Sequence, residues 1–328
     1  MKLFAKFAKT NPSVHPSSGL GYGCMGITSF YGDAMEEEAA VTLLKTVYDQ
    51  GCRHFDTAEM YRNDDPTKHN EIYLGKFLKT VPRDSYSVAT KFWPGECNYA
   101  TIKEHLQQSL ERLQLEYVDL YYCHRVTSLE SGIEFAKAAK KLKEEGLIRE
   151  VGLSEVSGKW LEQIHAAASI DAVQQEWSIL TRSLEDGLVP VCKKLDIAVV
   201  AYSPLCRNLL VQKHEAPPAD WRANAPRYQA LEQNKKFAEQ VHDMAETLNC
   251  TPAQICLAWL FQKAAELGVC VVPIPGTTKA ERAIGNIQSV DVTLSSENMK
   301  VLNAMAKDVV GDRYPESFMK NGMTIEHQ

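Results

Sequence analysis

Short apolar runs alternate with longer stretches in which apolar positions recur every three or four residues, along most of the chain. The runs read as buried strands and the longer stretches as amphipathic helices. An opening strand is predicted near Tyr22 to Met25. A helix from about Glu36 to Gln50 follows, with Ala40, Leu43, Leu44 and Val47 as its apolar stripe. The second strand ends at Asp56, a helix spans about Asn70 to Leu78, and the third strand ends at Thr90. Then come a helix from Tyr99 to Leu113, a strand from Val118 to Cys123, and a helix from Leu129 to Glu145 closed by Gly146. Further strands are predicted at Ile148 to Leu153, Ala172 to Gln175, Ile197 to Tyr202 and Val269 to Val272. Eight strand–helix repeats without a linker imply a parallel sheet closed on itself, an α/β fold of the (β/α)8 TIM-barrel type. One domain is expected over residues 1–328, with a C-terminal tail from about Asp308 that includes Arg313, Tyr314, Phe318 and Met319. The irregular stretch from Val211 to Tyr228, with Pro217, Pro218 and Pro226, follows the seventh strand and is expected to cover the pocket or cofactor.

Composition narrows the function. A formal net charge of −6 argues against nucleic acid as a partner. No apolar run is long enough to span a membrane. The opening Met1 to Lys9 is mildly basic and amphipathic, which fits a frayed terminus or short strand, or an organelle transit segment. The nine cysteines form no Cys-x-x-Cys pair, and most, such as Cys52, Cys123, Cys256 and Cys270, read as small buried residues in a reducing compartment, so a cytoplasmic location is expected. The nine histidines form no His-x-x-x-His pair, so no metal site is expected.

Candidate chemistry sits where the strands end. Asp56, Lys91 and His124 each follow an apolar run, and Tyr61 lies a few residues past Asp56. A parallel barrel gathers its strand ends on one face, where active sites are built. Tyrosine is a proton donor with an ordinary pKa near 10. A lysine beside it is expected to bring that value down, and a carboxylate keeps the lysine charged. Histidine can orient a substrate oxygen. The set is suited to reducing a carbonyl group. Gly21-Tyr22-Gly23-Cys24-Met25-Gly26 matches the Gly-x-Gly-x-x-Gly pattern of dinucleotide folds. It lacks the strand before and the helix after that the motif needs. Glycines that let a ligand approach a first barrel strand fit better.

Taken in order, several motifs resemble the aldo-keto reductases over nearly the whole chain. They are Gly23-Cys24-Met25-Gly26, Phe55-Asp56-Thr57-Ala58-x-x-Tyr61, Thr90-Lys91, Asp119-Leu120-Tyr121 with His124-Arg125, and Ile148-Arg149-x-Val151-Gly152-Leu153-Ser154. Gln174-x-Glu176-x-Ser178, Ala201-Tyr202-Ser203-Pro204-Leu205 and Ile274-Pro275-Gly276-Thr277-Thr278 complete the set. The resemblance implies reduction of a small aldehyde or ketone with NADPH, giving NADP+. It assigns Tyr61 as acid, Lys91 as its modulator, Asp56 as the partner of Lys91 and His124 as the orienting group. It also implies nicotinamide contacts from Ser154 and Gln174, stacking on Tyr202, and a pyrophosphate path along Ser203, Pro204 and Leu205. The adenosine end and its 2′-phosphate would lie at Gly276, Thr277, Thr278, Lys279, Arg282 and Asn286, with Lys279 and Arg282 opening the last helix. Gly23, Met25 and Asp56 are further cofactor candidates. Phe30, Tyr31, Trp93 and Arg125 are candidates for the substrate pocket.

Three positions depart from the family pattern. Glu155 stands where many members have Asn, and a carboxylate accepts but does not donate. Cys206-Arg207-Asn208 replaces a common Gly-x-Gly turn, so that loop is expected to differ, with Arg207 adding a charge near the pyrophosphate. Gly285 replaces a glutamate that often contacts the adenosine. Two other readings of the barrel remain. One is an NADPH-sensing regulatory subunit resembling the potassium-channel β-subunits, although the long N-terminal inactivating segment of that class is not seen. The other is a Schiff-base lyase with Lys91 as nucleophile. Substrate identity and oligomeric state are not written in the motifs.

Overall fold

The computed structural model describes residues 19–316 and 318. Met1 to Lys9 and Met319 lie outside them. Eight strands run in one parallel sheet in sequence order: β1 Tyr22–Gly23, β2 His54–Asp56, β3 Ser87–Phe92, β4 Val118–Cys123, β5 Ile148–Ser154, β6 Ala172–Glu176, β7 Ala198–Tyr202 and β8 Val271–Pro273. The ring is closed by Gly21 N–H, which donates to Pro273 O (2.9 Å), and Gly23 N–H, which donates to Pro275 O (3.4 Å). The fold is a (β/α)8 barrel. The helices of two turns or more are α1 Glu37–Asp49, α2 Asn70–Leu78, α3 Tyr99–Leu113, α4 Leu129–Glu144, α5 Gly158–Ala167, α6 Leu184–Leu195, α7 Leu231–Thr247, α8 Pro252–Leu267, α9 Ala280–Ile287 and α10 Ser296–Asp308. Lys279 and Arg282 therefore open α9, not the last helix, because α10 follows.

The strand sequences carry two apolar faces, since each strand is buried on both sides. Along β4, Leu120 and Tyr122 point into the barrel while Tyr121 and Cys123 face the helices; along β7, Ala198 and Val200 point in and Val199 and Ala201 out. The period of two is what aims alternate side chains at one centre.

The glycines of the first strand also serve the closure of the barrel. A Cβ on Gly23 would stand 2.6 Å from Ile274 O, and one on Gly276 would stand 2.5 Å from Gly23 O. The close approach at these two positions is of β1 to the chain after β8. Small residues here let the barrel shut. Strand β3 also runs further than expected, so Lys91 is a strand residue, in register with Tyr122.

Candidate active site

At the mouth of the barrel the four separated residues meet. Asp56 ends β2, and Thr57 N–H continues the ladder to Ala89 O (2.9 Å). The chain then loops to Tyr61, whose carbonyl accepts from Asn70 N–H (2.9 Å) and from the Thr28 hydroxyl (3.2 Å). Asn70, at the start of α2, also accepts from Thr57 Oγ1 (2.6 Å) and donates to Cys24 O (2.8 Å). A buried amide thus ties the loops after β1 and β2 together and holds Tyr61 in place.

Lys91 is fully buried and its ammonium has three acceptors. It donates to Asp56 Oδ1 (2.5 Å), Thr57 O (2.6 Å) and Tyr61 Oη (3.5 Å). Asp56 Oδ2 accepts from Gln174 Nε2 (2.8 Å), so the carboxylate is engaged on both oxygens. A buried ion pair stands only when its remaining hydrogen-bonding capacity is met, as it is here. Burial pushes the Asp56 carboxyl up and Lys91 pulls it back, while Asp56 and Tyr61 hold the ammonium above its usual range against the opposing effect of burial.

For Tyr61 the expected sign is reversed. Burial raises its pKa, and the lowering by Lys91 offsets only part of that rise. The hydroxyl therefore keeps its proton past the usual tyrosine range. His124 follows β4 directly, and its N–H donates to Phe92 O (2.9 Å). Its ring lies edge-on to Tyr61 (5.7 Å) and to Trp93 (5.2 Å). Burial, then the charges of Arg125 and Lys91, depress its pKa well below the ordinary value, so it is a neutral imidazole. Trp93 is fixed by Glu59, which accepts its backbone N–H (2.7 Å) and pairs with His105 (2.9 Å).

Other expected residues fall into groups. Arg125 adjoins the tetrad, donating to His124 O (2.7 Å) and Ser154 Oγ (3.3 Å). Tyr31 joins the covering segment: its ring packs against Trp221 (6.2 Å) and lies under the Arg222 guanidinium (5.1 Å). Phe30 is exposed, with a left-handed φ of 73°. The stretch after β7 does reach across to the loop after β1. Thr277, Lys279 and Arg282 surround the N-terminus of α9, Thr277 O accepts from Tyr22 Oη (2.5 Å), and Asn286 is buried on that helix.

The turn Cys206-Arg207-Asn208 keeps left-handed backbone at all three residues, with φ of 52°, 55° and 81°. Side chains make that conformation cost about 1–2 kcal/mol per residue, which glycines would avoid. Arg207 O is held by Tyr228 Oη (2.9 Å) and Arg222 Nη1 (3.2 Å), and Arg207 Nη2 bonds Glu176 (3.0 Å). Arg207 Nε and Nη1 are buried without a partner among the described residues.

Residues of the tail were named in the sequence without a definite role. Arg313 is buried and donates to both oxygens of Glu155 (2.9 and 2.7 Å) and to Tyr202 Oη (3.0 Å); Tyr202 itself donates to Glu155 (2.6 Å). Glu176, two residues past Gln174, anchors Arg207 and lies 3.7 Å from Arg313. A carboxylate at the mouth end of a barrel strand was the signal for such a cation partner.

Although burial opposes it, the Glu155 carboxyl is pulled down to about 2 by Arg313, with help from Arg125 and Tyr202. A folded-state pKa below the unfolded value of about 4.3 contributes stability that is present above the unfolded value and lost as pH falls through the folded one. Stability should therefore decline between about pH 4 and 2, and less steeply in Glu155→Gln than in the wild type. Denaturant titrations at several acid pH values check this. Parallel declines would show that Glu155 is not the group responsible.

Among the described residues no cluster of His, Cys, Asp or Glu is placed to hold a metal, and no helix is long and apolar enough to cross a membrane. Residues 19–307 match the model of the aldo/keto reductase family. The protein belongs to that family. Membership makes this barrel an oxidoreductase. A probable aldo-keto reductase 1 of Glycine max is 38% identical over 313 residues, 90% of this chain and 88% of that protein. A thermostable aldo-keto reductase crystallised with the inhibitor epalrestat has a TM-score of 0.72 at 29% identity, covering 92% of this chain and 98% of its own. An aldo-keto reductase of Klebsiella pneumoniae, crystallised with NADPH, has a TM-score of 0.70 at 24% identity, covering 91% and 92%.

Proposed function

We propose that the protein reduces an aldehyde or ketone to the alcohol, with NADPH as hydride donor and Tyr61 as general acid. The observation that carries this reading is the buried Lys91 ammonium bonded to both Asp56 and Tyr61, beside a neutral His124. Bound NADPH supplies the hydride that adds to the carbonyl carbon. Tyr61 gives its hydroxyl proton to the carbonyl oxygen, so hydride and proton together complete the alcohol. Lys91 steadies the phenolate left behind, and Asp56 keeps Lys91 charged. His124, being uncharged, orients the oxygen with a ring N–H rather than competing as an acid. Trp93 and Arg125 bound the substrate, and Tyr31 with Trp221 lies at the rim of the mouth.

The residues present fit a phosphate-rich dinucleotide. Arg207 has two buried N–H-bearing nitrogens without a partner among the described residues, next to Ser203, Pro204 and Leu205. Lys279 and Arg282 are exposed and make no ion pair among the described residues, and α9 has no side-chain cap at its N-terminus. Free backbone N–H groups at a helix start favour an anion. Ser154, Gln174 and Tyr202 would hold the nicotinamide, and Gly276 with Thr278 the adenosine end. A panel of aldehydes, quinones, steroids and pyridoxal, followed by loss of reduced-cofactor absorbance, tests the activity. NADPH left unoxidised with every class would overturn it.

Preference for NADPH over NADH should rest on Arg282 with Lys279. An arginine grips a phosphate through two parallel hydrogen bonds, and a charged hydrogen bond contributes roughly 1.5–3 kcal/mol. Arg282→Ala should therefore weaken NADPH by about ten- to a hundredfold and leave NADH nearly unchanged. Dissociation constants for both cofactors at fixed salt check it, since screening alters such contacts. Equal losses for both would show that the site does not read the phosphate.

A further inference from the structure

Among the described residues, the C-terminal tail reaches Tyr202 through Arg313 and Tyr314. After α10 the chain is pinned by Asn234, whose side chain bonds both Val310 N–H (2.9 Å) and Val310 O (2.8 Å), and by Arg227, which donates to Gly311 O (3.3 Å). Arg313 then turns inward. Its fork takes both oxygens of Glu155, and the Tyr202 hydroxyl is bonded to the same carboxylate and to the same guanidinium. Tyr314 adds a contact to Tyr202 Oη (3.1 Å) and lies beneath the Arg207 guanidinium (4.1 Å).

Glu155 is thereby committed. With two bonds from Arg313 and one from Tyr202, its oxygens serve the tail and the ring. That answers the departure at this position: an asparagine could not match the guanidinium fork with two acceptor oxygens. The backbone at Glu155 is left-handed, with φ of 56°, a costly conformation for this residue type and one that occurs where a site needs a particular direction.

We propose that Arg313 is a positioning residue for the reduction, acting from the tail through Glu155 to fix the Tyr202 ring on which the nicotinamide rests. This rests on the reading of Tyr202 as the nicotinamide platform. The consequence is a coupling: docking of the tail and binding of the nicotinamide end favour each other, because each needs Tyr202 in one orientation. The effect differs in kind from that of Arg282, since NADPH and NADH share the nicotinamide end.

The test compares Arg313→Met, Arg313→Lys, Glu155→Gln and Tyr202→Ala. Dissociation constants of NADPH and NADH are measured by quenching of intrinsic fluorescence. The primary deuterium isotope effect on kcat is measured with cofactor labelled at the transferred hydrogen. Amide exchange over 310–316 is followed with and without NADP+. Arg313→Met should weaken both cofactors by the same factor, about tenfold or more for lost charged hydrogen bonds. Its isotope effect should rise, because a loosely held ring slows hydride transfer. Arg313→Lys should recover part of both, and Glu155→Gln should lose less than Arg313→Met. In the wild type NADP+ should slow exchange in the tail, and in Glu155→Gln it should not. Should Arg313→Met fail to fold, Arg313→Lys and Glu155→Gln carry the same comparison. Unchanged affinities and isotope effect in the Arg313 and Glu155 variants, with Tyr202→Ala impaired, would overturn the positioning role alone. Unchanged affinities in Tyr202→Ala would overturn the platform reading and the proposal with it.

Discussion

Tyr61→Phe is expected to lower the rate of carbonyl reduction by about 10²–10⁴-fold, the usual cost of removing a general acid, with cofactor affinity nearly unchanged. The ring keeps its edge-on contact with His124, and the loop keeps the two hydrogen bonds to the Tyr61 carbonyl, because the substitution removes only the hydroxyl. Lys91 retains Asp56 and Thr57 as acceptors, so the ion pair survives. The fold should therefore be intact while the proton is missing. Since burial lifts the Tyr61 pKa above its usual value, wild-type reduction should stay flat in pH up to about 10 and fall only beyond it. Steady-state kinetics, a fluorescence titration with cofactor and a pH–rate profile check these statements. Wild-type turnover in the mutant would remove Tyr61 from the mechanism. A rate that already falls as pH rises past neutrality would show that the reacting complex shifts this group the other way.

The barrel was legible because each strand is buried on both faces and each outer helix has a narrow apolar stripe. Helices α2 and α3 and strand β4 start and end at the expected residues. Strand β8 was misplaced at its start, since Val269 and Cys270 are as apolar as the residues that pair. The tetrad was legible because strand ends converge whatever the intervening loops contain. What stayed hidden depended on distance in three dimensions. The Tyr61 shift turned on full burial, which a motif does not display. The left-handed Cys206–Asn208 turn contradicts local preference and is held by Arg222, Tyr228 and Glu176, residues brought in from elsewhere. Glu155 looked like a flawed asparagine until Arg313 was seen beside it, 158 positions away.

Lys91→Met should be nearly inactive and markedly less stable, and the two effects should be separable. Methionine has a similar reach but no donor, so Tyr61 loses the charge that steadies its phenolate. Losing one such preorganised contact costs about 10²–10³ in rate. Asp56 would be left in a fully buried site with Gln174 alone. Removing one partner of a buried pair destabilises by about 3–5 kcal/mol when the other stays charged. The carboxyl escapes part of that cost by taking a proton, and burial already raises its pKa in the intact protein. A folded-state pKa above the unfolded value contributes stability that is present at low pH and lost as pH rises through the folded value. The variant should therefore approach wild-type stability near pH 5 and fall behind it toward pH 8. Adding Asp56→Asn removes the stranded charge, so the double variant should regain most of the stability and its independence of pH. It should regain none of the activity, because the ammonium beside Tyr61 is still absent. Denaturant midpoints across that pH range and turnover of the four proteins, two single variants, the double variant and the wild type, form a double-mutant cycle. Turnover restored along with stability would mean that Lys91 serves the fold and not the chemistry.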